Sequence, residues 1–192
     1  MSDERPGWHR HPNGGGWVQD TAQVDETVYV GPNAEVYGTA RVCGTARVYG
    51  TARVYGTAEV YGTARVCGTA EVCGSARVYG TAEVYGTAEV CGSAEVYGTA
   101  RVYGTARVCG SARVSETRHV LTVGPIGSED QTITIYRTEA GHGIVVGCWD
   151  DPANTVDDLA AEVQRRAPEH AEEYAAAEQL LRLRINEWEN ER

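Results

Sequence analysis

The chain has 192 residues, enough for one ordinary domain or for a small domain with an extension. Its hydrophobic residues make up 42% of the sequence and are mostly Val and Ala, which are too small to fill a thick globular core. The net charge is −10, with the acidic residues concentrated near the C-terminus, so the chain lacks the basic surface typical of nucleic-acid binding. No apolar run is long enough to span a bilayer and no signal-type stretch opens the sequence, so we expect a cytoplasmic protein.

A six-residue repeat occupies half of the chain. Val recurs at every sixth position from Val18 to Val114, and the regular repeat reads Val, Tyr or Cys, Gly, Thr or Ser, Ala, then Arg or Glu. Alternate residues of an extended chain share a face, so Ala and Val point one way and the charged residue between them points the other. Gly falls where a strand of two or three residues must turn a corner.

The outward charges indicate which repeats lie next to each other. Between Glu35 and Arg113, 9 of 11 charge pairs that lie three repeats apart are opposite in sign, against 7 of 13 one repeat apart and 5 of 12 two repeats apart. Opposite charges on neighbouring strands are stabilising and like charges are destabilising. The bias therefore predicts stacked 18-residue coils, each built from three repeats.

The repeat resembles the hexapeptide repeat of left-handed β-helices, the superfamily of UDP-N-acetylglucosamine acyltransferases. This resemblance implies a mostly β fold, a left-handed parallel β-helix with triangular 18-residue coils, here followed by a small C-terminal α+β domain. We expect an N-terminal cap at residues 1–17, the β-helix at 18–118 and the C-terminal domain at 119–192. Open solenoid ends need covers, and we expect Trp8 and Trp17 to cover the first coil.

One column of the predicted β-helix carries small side chains. Ser replaces Thr and Cys replaces Tyr together in every third repeat of the later coils. These residues are Cys73, Ser75, Cys91, Ser93, Cys109 and Ser111, and we call them the Cys/Ser face. We expect this face to be covered for packing or assembly, by the C-terminal helix or by another subunit, and the resemblance implies a trimer. Three thiols in one column cannot all pair, and we expect them to be reduced, with no metal bound.

The sequence pattern from His119 onward predicts three short strands and two helices. The strands are VLTVG at 120–124, TITIYR at 132–137 and GIVVGC at 143–148. Thr155 and Asp158 have the spacing of a capping box before the first helix. Pro168 is expected to begin a longer helix that continues to about Glu189.

Several motifs of this region resemble a small C-terminal domain that follows similar repeats in phage and prophage-like proteins. They are GPIGS, a Tyr-Arg-Thr segment, Gly147-Cys148 with Trp149, and an Ala-rich helix with Tyr174. GGGW and VYVGPNA before the repeats also match. The resemblance implies a phage or prophage origin, hence the cytoplasm of a bacterial host, and it implies no particular activity.

The leading hypothesis is a non-enzymatic structural or interaction protein with no cofactor. Its β-helix stem would assemble into a homo-oligomer and present the C-terminal domain to an unidentified protein partner, with no nucleic acid or membrane involved. The exposed tyrosine column Tyr61, Tyr79 and Tyr97 is a candidate partner contact, because Tyr provides a large contact area at low entropy cost. An acyltransferase activity ranks third, since those enzymes generally need a His base and the repeats contain no His.

A second hypothesis is sequestration of a small phosphate-bearing, nucleotide-like ligand by the C-terminal domain. Backbone N–H groups of the GPIGS turn could cradle an anion, with Gly124, Gly127, Ser128 and Arg137 near the ligand. The competing interpretation is an ordinary Gly-Pro turn. Cys148 near His142 likewise has two interpretations, a nucleophile with its base or, as we favour, a buried strand cysteine; no catalytic residue is assigned.

Overall fold

The chain folds into a parallel β-helix followed by a small domain of one antiparallel sheet and two helices. This computed structural model describes residues 5–127, 129–147, 149–151 and 153–191. From residue 17 onward, the short solenoid strands pair in parallel with the strands three repeats further along, as Val36 does with Val54. The strand at Trp8–Arg10 pairs antiparallel with Trp17–Gln19. The predicted fold class, mostly β with 18-residue coils and a C-terminal α+β domain, is confirmed.

The solenoid has three faces, one sheet on each, with strands numbered in chain order. Face one contains β1 Trp8–Arg10, β2 Trp17–Gln19, β5 Glu35–Val36, β8 Arg53–Val54, β11 Glu71–Val72, β14 Glu89–Val90 and β17 Arg107–Val108. Face two contains β3 Gln23–Val24, β6 Arg41–Val42, β9 Glu59–Val60, β12 Arg77–Val78, β15 Glu95–Val96 and β18 Arg113–Val114. Face three contains β4 Tyr29–Val30, β7 Arg47–Val48, β10 Arg65–Val66, β13 Glu83–Val84 and β16 Arg101–Val102.

The repeat explains the core and the corners of the solenoid. The repeat Val and Ala side chains point inward and are almost completely buried, as Ala58 and Val60 are. The corner Gly residues have positive φ, and a Cβ on Gly68 would lie only 2.7 Å from the carbonyl oxygen of Gly86 in the next coil. Gly is therefore needed both for its backbone conformation and for the close stacking of coils.

The N-terminal segment covers the first coil, but its tryptophans do not. Trp17 occupies the outward position of its strand and stacks beneath Arg10, whose guanidinium carbon lies 3.9 Å from the ring centroid. Trp8 contacts Tyr37 in a tilted arrangement, with the ring centroids 5.8 Å apart. The prediction for Trp8 and Trp17 is therefore wrong, because strand alternation turns Trp17 away from the core as soon as Val18 points inward. The buried His11 and the segment that follows it lie over the end instead, with Val30 N–H bonded to the Asn13 carbonyl at 2.9 Å.

The C-terminal domain contains the predicted strands and helices. Its elements are β19 Val120–Ile126, β20 Gln131–Arg137, β21 His142–Val146, α1 Val156–Arg166 and α2 Ala171–Asn190. Short 3-10 turns at Thr117–His119 and Pro168–His170 precede β19 and α2. The capping box is present, since the Thr155 N–H donates a 2.9 Å hydrogen bond to the Asp158 carboxylate.

Strand β20 joins the two parts of the molecule. Ile133 and Ile135 pack with the helices, whereas Tyr136, on the opposite side of the strand, belongs to the solenoid core. The solenoid strand β17 is held to β20 by a 3.3 Å hydrogen bond from Arg107 N–H to the Thr134 hydroxyl. The C-terminal sheet therefore closes the end of the solenoid on faces one and two, where β20 contacts both β17 and β18.

Candidate interaction surfaces and ligand sites

The tyrosine column predicted as a partner contact forms a continuous stack on face two. The ring centroids of Tyr61 and Tyr79 are 4.9 Å apart and those of Tyr79 and Tyr97 are 5.1 Å apart, with nearly parallel planes. The three rings are half-buried, because each covers its neighbour and leaves its edge in solvent. Stacking at the coil spacing makes this column a rigid aromatic ridge.

Charged side chains flank the aromatic columns and pair between coils. Arg53 and Glu71 approach to 3.1 Å, and Arg77 contacts Glu95 at 3.2 Å. The 18-residue register inferred from the charge pattern is confirmed by these contacts. Such exposed pairs contribute little individually, and their main effect here is to favour one register over others.

The cysteines of the Cys/Ser face are not all reduced. Cys91 and Cys109 form a disulfide, and their Cα atoms are 4.6 Å apart, which lies within the range that a disulfide allows. The prediction of reduced thiols is wrong for this pair, because neighbouring coils bring equivalent positions together whether or not the third thiol finds a partner. Cys73, one coil below, is free, and partial burial raises the pKa of its thiol.

The serines of the Cys/Ser face are exposed in the single chain. Ser75, Ser93 and Ser111 all face solvent. Helix α2 packs elsewhere, since Leu181 and Trp188 are buried in the hydrophobic cluster of the C-terminal domain. The C-terminal helix is therefore not the cover that the sequence suggested, and a second subunit at this face stays a prediction.

The four residues proposed to bind a phosphate do not form one site. Gly127 N–H donates a 3.1 Å hydrogen bond to the Glu173 carboxylate, so an acidic side chain already occupies this donor. Gly124 lies within strand β19, and Ser128 falls outside the described residues. Arg137 ends strand β20, whereas Gly127 lies beyond its opposite end, where Ile126 pairs with Gln131. About six residues of extended strand, roughly 20 Å, separate the two positions.

Arg137 belongs to a polar cluster at the junction of the two domains. Its Nη1 donates to His119 Nε2 at 3.0 Å and lies 3.8 Å from Glu191. His119 is buried, and burial together with the Arg137 charge lowers the pKa of its imidazole. On the other side of the ring, Nδ1 accepts a 3.3 Å hydrogen bond from the Ser115 N–H and lies 3.2 Å from the Ser115 hydroxyl. Sequence patterns did not reveal this cluster, because His119 and Arg137 meet only after the sheet docks.

The C-terminal domain contains a cavity of about 390 Å³ between the end of its sheet and its helices. Apolar and aromatic side chains line it, including Leu159, Val163, Trp149 and Tyr174. One guanidinium, that of Arg166, and three carboxylates also line it, the carboxylates being those of Glu129, Glu162 and Glu169. Because carboxylates outnumber arginines at its walls, this cavity disfavours the anionic ligand that the sequence suggested for this end of the sheet.

His142 has a structural partner. Its Nε2 accepts a 3.1 Å hydrogen bond from the N–H of Val156, the first residue of α1. Cys148, the nucleophile weighed with it, lies outside the described residues. Within the described ranges, no group of three or more His, Cys, Asp or Glu side chains is arranged to hold a metal ion.

Comparison with protein-family models, with curated proteins and with solved structures found no match to this chain. Across the part of the chain that the structure describes, neither helix is both long and apolar enough to cross a membrane.

Proposed function

We propose that this protein is a non-enzymatic structural or interaction protein whose β-helix is a stem that holds a C-terminal recognition domain. The attachment between stem and domain supports this proposal. Arg107 on the last coil of face one bonds to the Gly147 carbonyl at 2.7 Å and to the Asp150 carboxylate at 3.2 Å. Tyr136 of the domain is almost completely buried in the solenoid core. A domain fixed in this way keeps a constant orientation relative to the stem.

The stem would also assemble with copies of itself, through the Cys/Ser face. The exposure of Ser93 and its equivalents in the single chain is consistent with a surface that a second copy covers. A trimer would follow the behaviour of the solenoid superfamily that the repeat resembles, and closed symmetric assemblies are the usual form of homo-oligomers. The Tyr61, Tyr79 and Tyr97 ridge would then remain available for an unidentified protein partner.

The finer assignment of the chain is part of the same proposal. The 18-residue spacing and the Gly corners favour a left-handed hexapeptide-repeat β-helix. The arrangement of three strands and two helices after it agrees with the resemblance to phage and prophage proteins, which would place the protein in the cytoplasm of a bacterial host.

Native mass spectrometry of the full-length wild type and of Ser93→Arg tests the assembly. The wild type should be an oligomer, with three chains as the expected number, and Ser93→Arg should be monomeric because an Arg side chain projects from the flat face. Thr87→Arg is the matched control, since Thr87 occupies the equivalent exposed position on another face. A monomeric wild type, or a Ser93→Arg variant that assembles like the control, would contradict the proposal.

A further inference from the structure

The tyrosine column of face two stops one coil before the solenoid ends. Tyr97 covers Tyr79, but the next equivalent position is Ser115, whose carbonyl accepts the Thr99 N–H at 3.2 Å in the last coil contact. A hydroxymethyl group thus stands where the pattern has a phenol ring. One face of the Tyr97 ring is therefore not covered by the next residue of its own column.

A cavity of about 300 Å³ borders this ring. Tyr97, Ser115 and His119 line it from the solenoid end, and Arg137 and Thr138 line it from strand β20. Arg113, at the outward position of β18, and Glu139 complete the wall. An open aromatic face, two guanidinium groups and one carboxylate therefore border a single space, which we call the Tyr97 slot, and its lining arginines outnumber its lining carboxylates.

The two arginines are positioned by neighbours that leave them able to bind an anion. Arg137 donates to the neutral His119 ring and is only partly exposed, which orients its guanidinium. Arg113 pairs with Glu139 at 3.4 Å, but the Glu139 side chain is 80% exposed, so this ion pair is weak and easily replaced. Glu191, 3.8 Å from Arg137, is already bound more closely by Arg118 at 2.8 Å.

We propose that the Tyr97 slot binds a planar aromatic ligand that carries an anionic group. The ring would stack on Tyr97 as the missing next member of the column, and the phosphate or carboxylate would lie between Arg113 and Arg137. Aromatic stacking and guanidinium recognition of anions are the interactions that these side chains make best. The proposal does not rest on the assembly function above, and it locates the ligand away from the Gly127 turn.

Isothermal titration calorimetry on the full-length chain tests the slot with two probes, adenosine 5′-monophosphate and 2-naphthoate. The first carries a phosphate and the second a carboxylate. The decisive variant is Ser115→Tyr, which fills the slot with the column's own next ring. Cys43→Tyr is the matched control, because Cys43 lies below Tyr61 at the other end of the same column. Stacking of one base is worth about 1–3 kcal/mol, so Ser115→Tyr should bind at least about 5-fold more weakly than the control.

Arg113→Ala supplies a second measurement that does not depend on the folding of Ser115→Tyr. It should weaken the binding of adenosine 5′-monophosphate about 10-fold, the effect of losing one charge-assisted contact, and should leave the weak binding of uncharged adenosine unchanged. Inorganic phosphate should bind more weakly than either aromatic probe. The proposal is overturned if neither probe binds the wild type at millimolar concentration, or if phosphate alone binds as tightly as the nucleotide. Equal binding by Arg113→Ala and the wild type would also overturn it.

Discussion

Arg107 and Gly147 join the solenoid to the C-terminal domain through a 2.7 Å hydrogen bond from the guanidinium Nη1 to the carbonyl oxygen. The same side chain contacts Glu89 in the coil below at 2.9 Å through Nε, and Asp150 at 3.2 Å through Nη2. Three partners from two segments, the coil below and the loop between β21 and α1, thus meet at one guanidinium. Because Arg has a planar array of donors, it can hold such a junction in one geometry, which Lys cannot do.

Replacing this side chain should loosen the junction. We expect Arg107→Ala to lower the free energy of unfolding by about 2–3 kcal/mol, since hydrogen bonds to charged groups are worth about 1.5–3 kcal/mol and Glu89 and Gly147 remain half-buried. Arg101→Ala is the control, because Arg101 pairs with Glu83 on the exposed surface of face three and should cost less than about 1 kcal/mol. Denaturant unfolding gives both values, and hydrogen exchange should show faster opening of β21 only in Arg107→Ala. Equal losses in the two variants would mean that Arg107 is not a junction residue.

The solenoid could be predicted from the sequence because its structure is local and repeated. Each Val and Ala has the same environment, so the period of six gives the inward positions and the charges give the register. The strands and helices after residue 119 were also predictable, because alternation, Gly and Pro positions and the Thr155 capping box are local signals. The cover that Trp8 and Trp17 were expected to form was wrongly predicted. Ring size suggested a cover, whereas the alternation of inward and outward residues along the strand places Trp17 on the outside.

The candidate ligand sites could not be predicted in the same way. Gly127 and Arg137 looked suitable together because turn N–H groups and a guanidinium both bind anions, yet an extended strand separates them. The meeting of Arg137 with His119 and Arg113 depends on how the sheet docks on the last coil, which no local pattern encodes. The ring gap at Ser115 is visible in the sequence, but its meaning needs the cavity beside Tyr97.

Two corner glycines allow the energetic cost of a left-handed backbone to be measured separately from the cost of crowding between coils. Gly68 has φ +72°, and an added Cβ would lie 2.7 Å from the Gly86 carbonyl oxygen. Gly104 has φ +65° in the last coil of its face and no atom within 4 Å of the same Cβ position. We expect Gly104→Ala to cost about 1–2 kcal/mol from the left-handed backbone alone. Gly68→Ala should lose more free energy of unfolding, because neighbouring coils must also move apart. Denaturant unfolding midpoints compare the two variants. Similar losses would show that coil stacking tolerates a methyl group.

Reduction of the Cys91–Cys109 disulfide should destabilise the end of the stem. The bridge joins cysteines at a sequence separation of 18, a loop length for which the chain-entropy model gives about 3 kcal/mol of stabilisation. The melting temperature of the wild type should therefore fall in dithiothreitol, whereas Cys109→Ser should melt at the same lower temperature with and without it. Cys73→Ser is the control and should respond to reductant like the wild type, because Cys73 is free. An unchanged wild-type melting temperature in dithiothreitol would show that the bridge does not form or does not contribute.

The stability of the C-terminal domain should fall as the pH falls, because His142 must stay neutral to accept the Val156 N–H. Burial lowers the pKa of His142 below its ordinary value of about 6.5, although Asp157 and Glu189 oppose this effect. A folded-state pKa below the unfolded one means that stability is complete above about pH 6.5 and is lost as the pH falls through the lowered value. His119 has the same direction of pKa shift and adds to the loss.

Two substitutions isolate the contribution of His142. The amide of His142→Gln can accept the same hydrogen bond without titrating, so its unfolding free energy should depend less on pH between 7 and 5, leaving the part due to His119. His142→Ala should also lose this pH dependence but should be less stable at pH 8 by about 1–2 kcal/mol, because the Val156 N–H at the start of α1 loses its acceptor. Denaturant unfolding at a series of pH values measures both. If His142→Gln followed the wild-type curve, protonation of His142 would not be what weakens the domain.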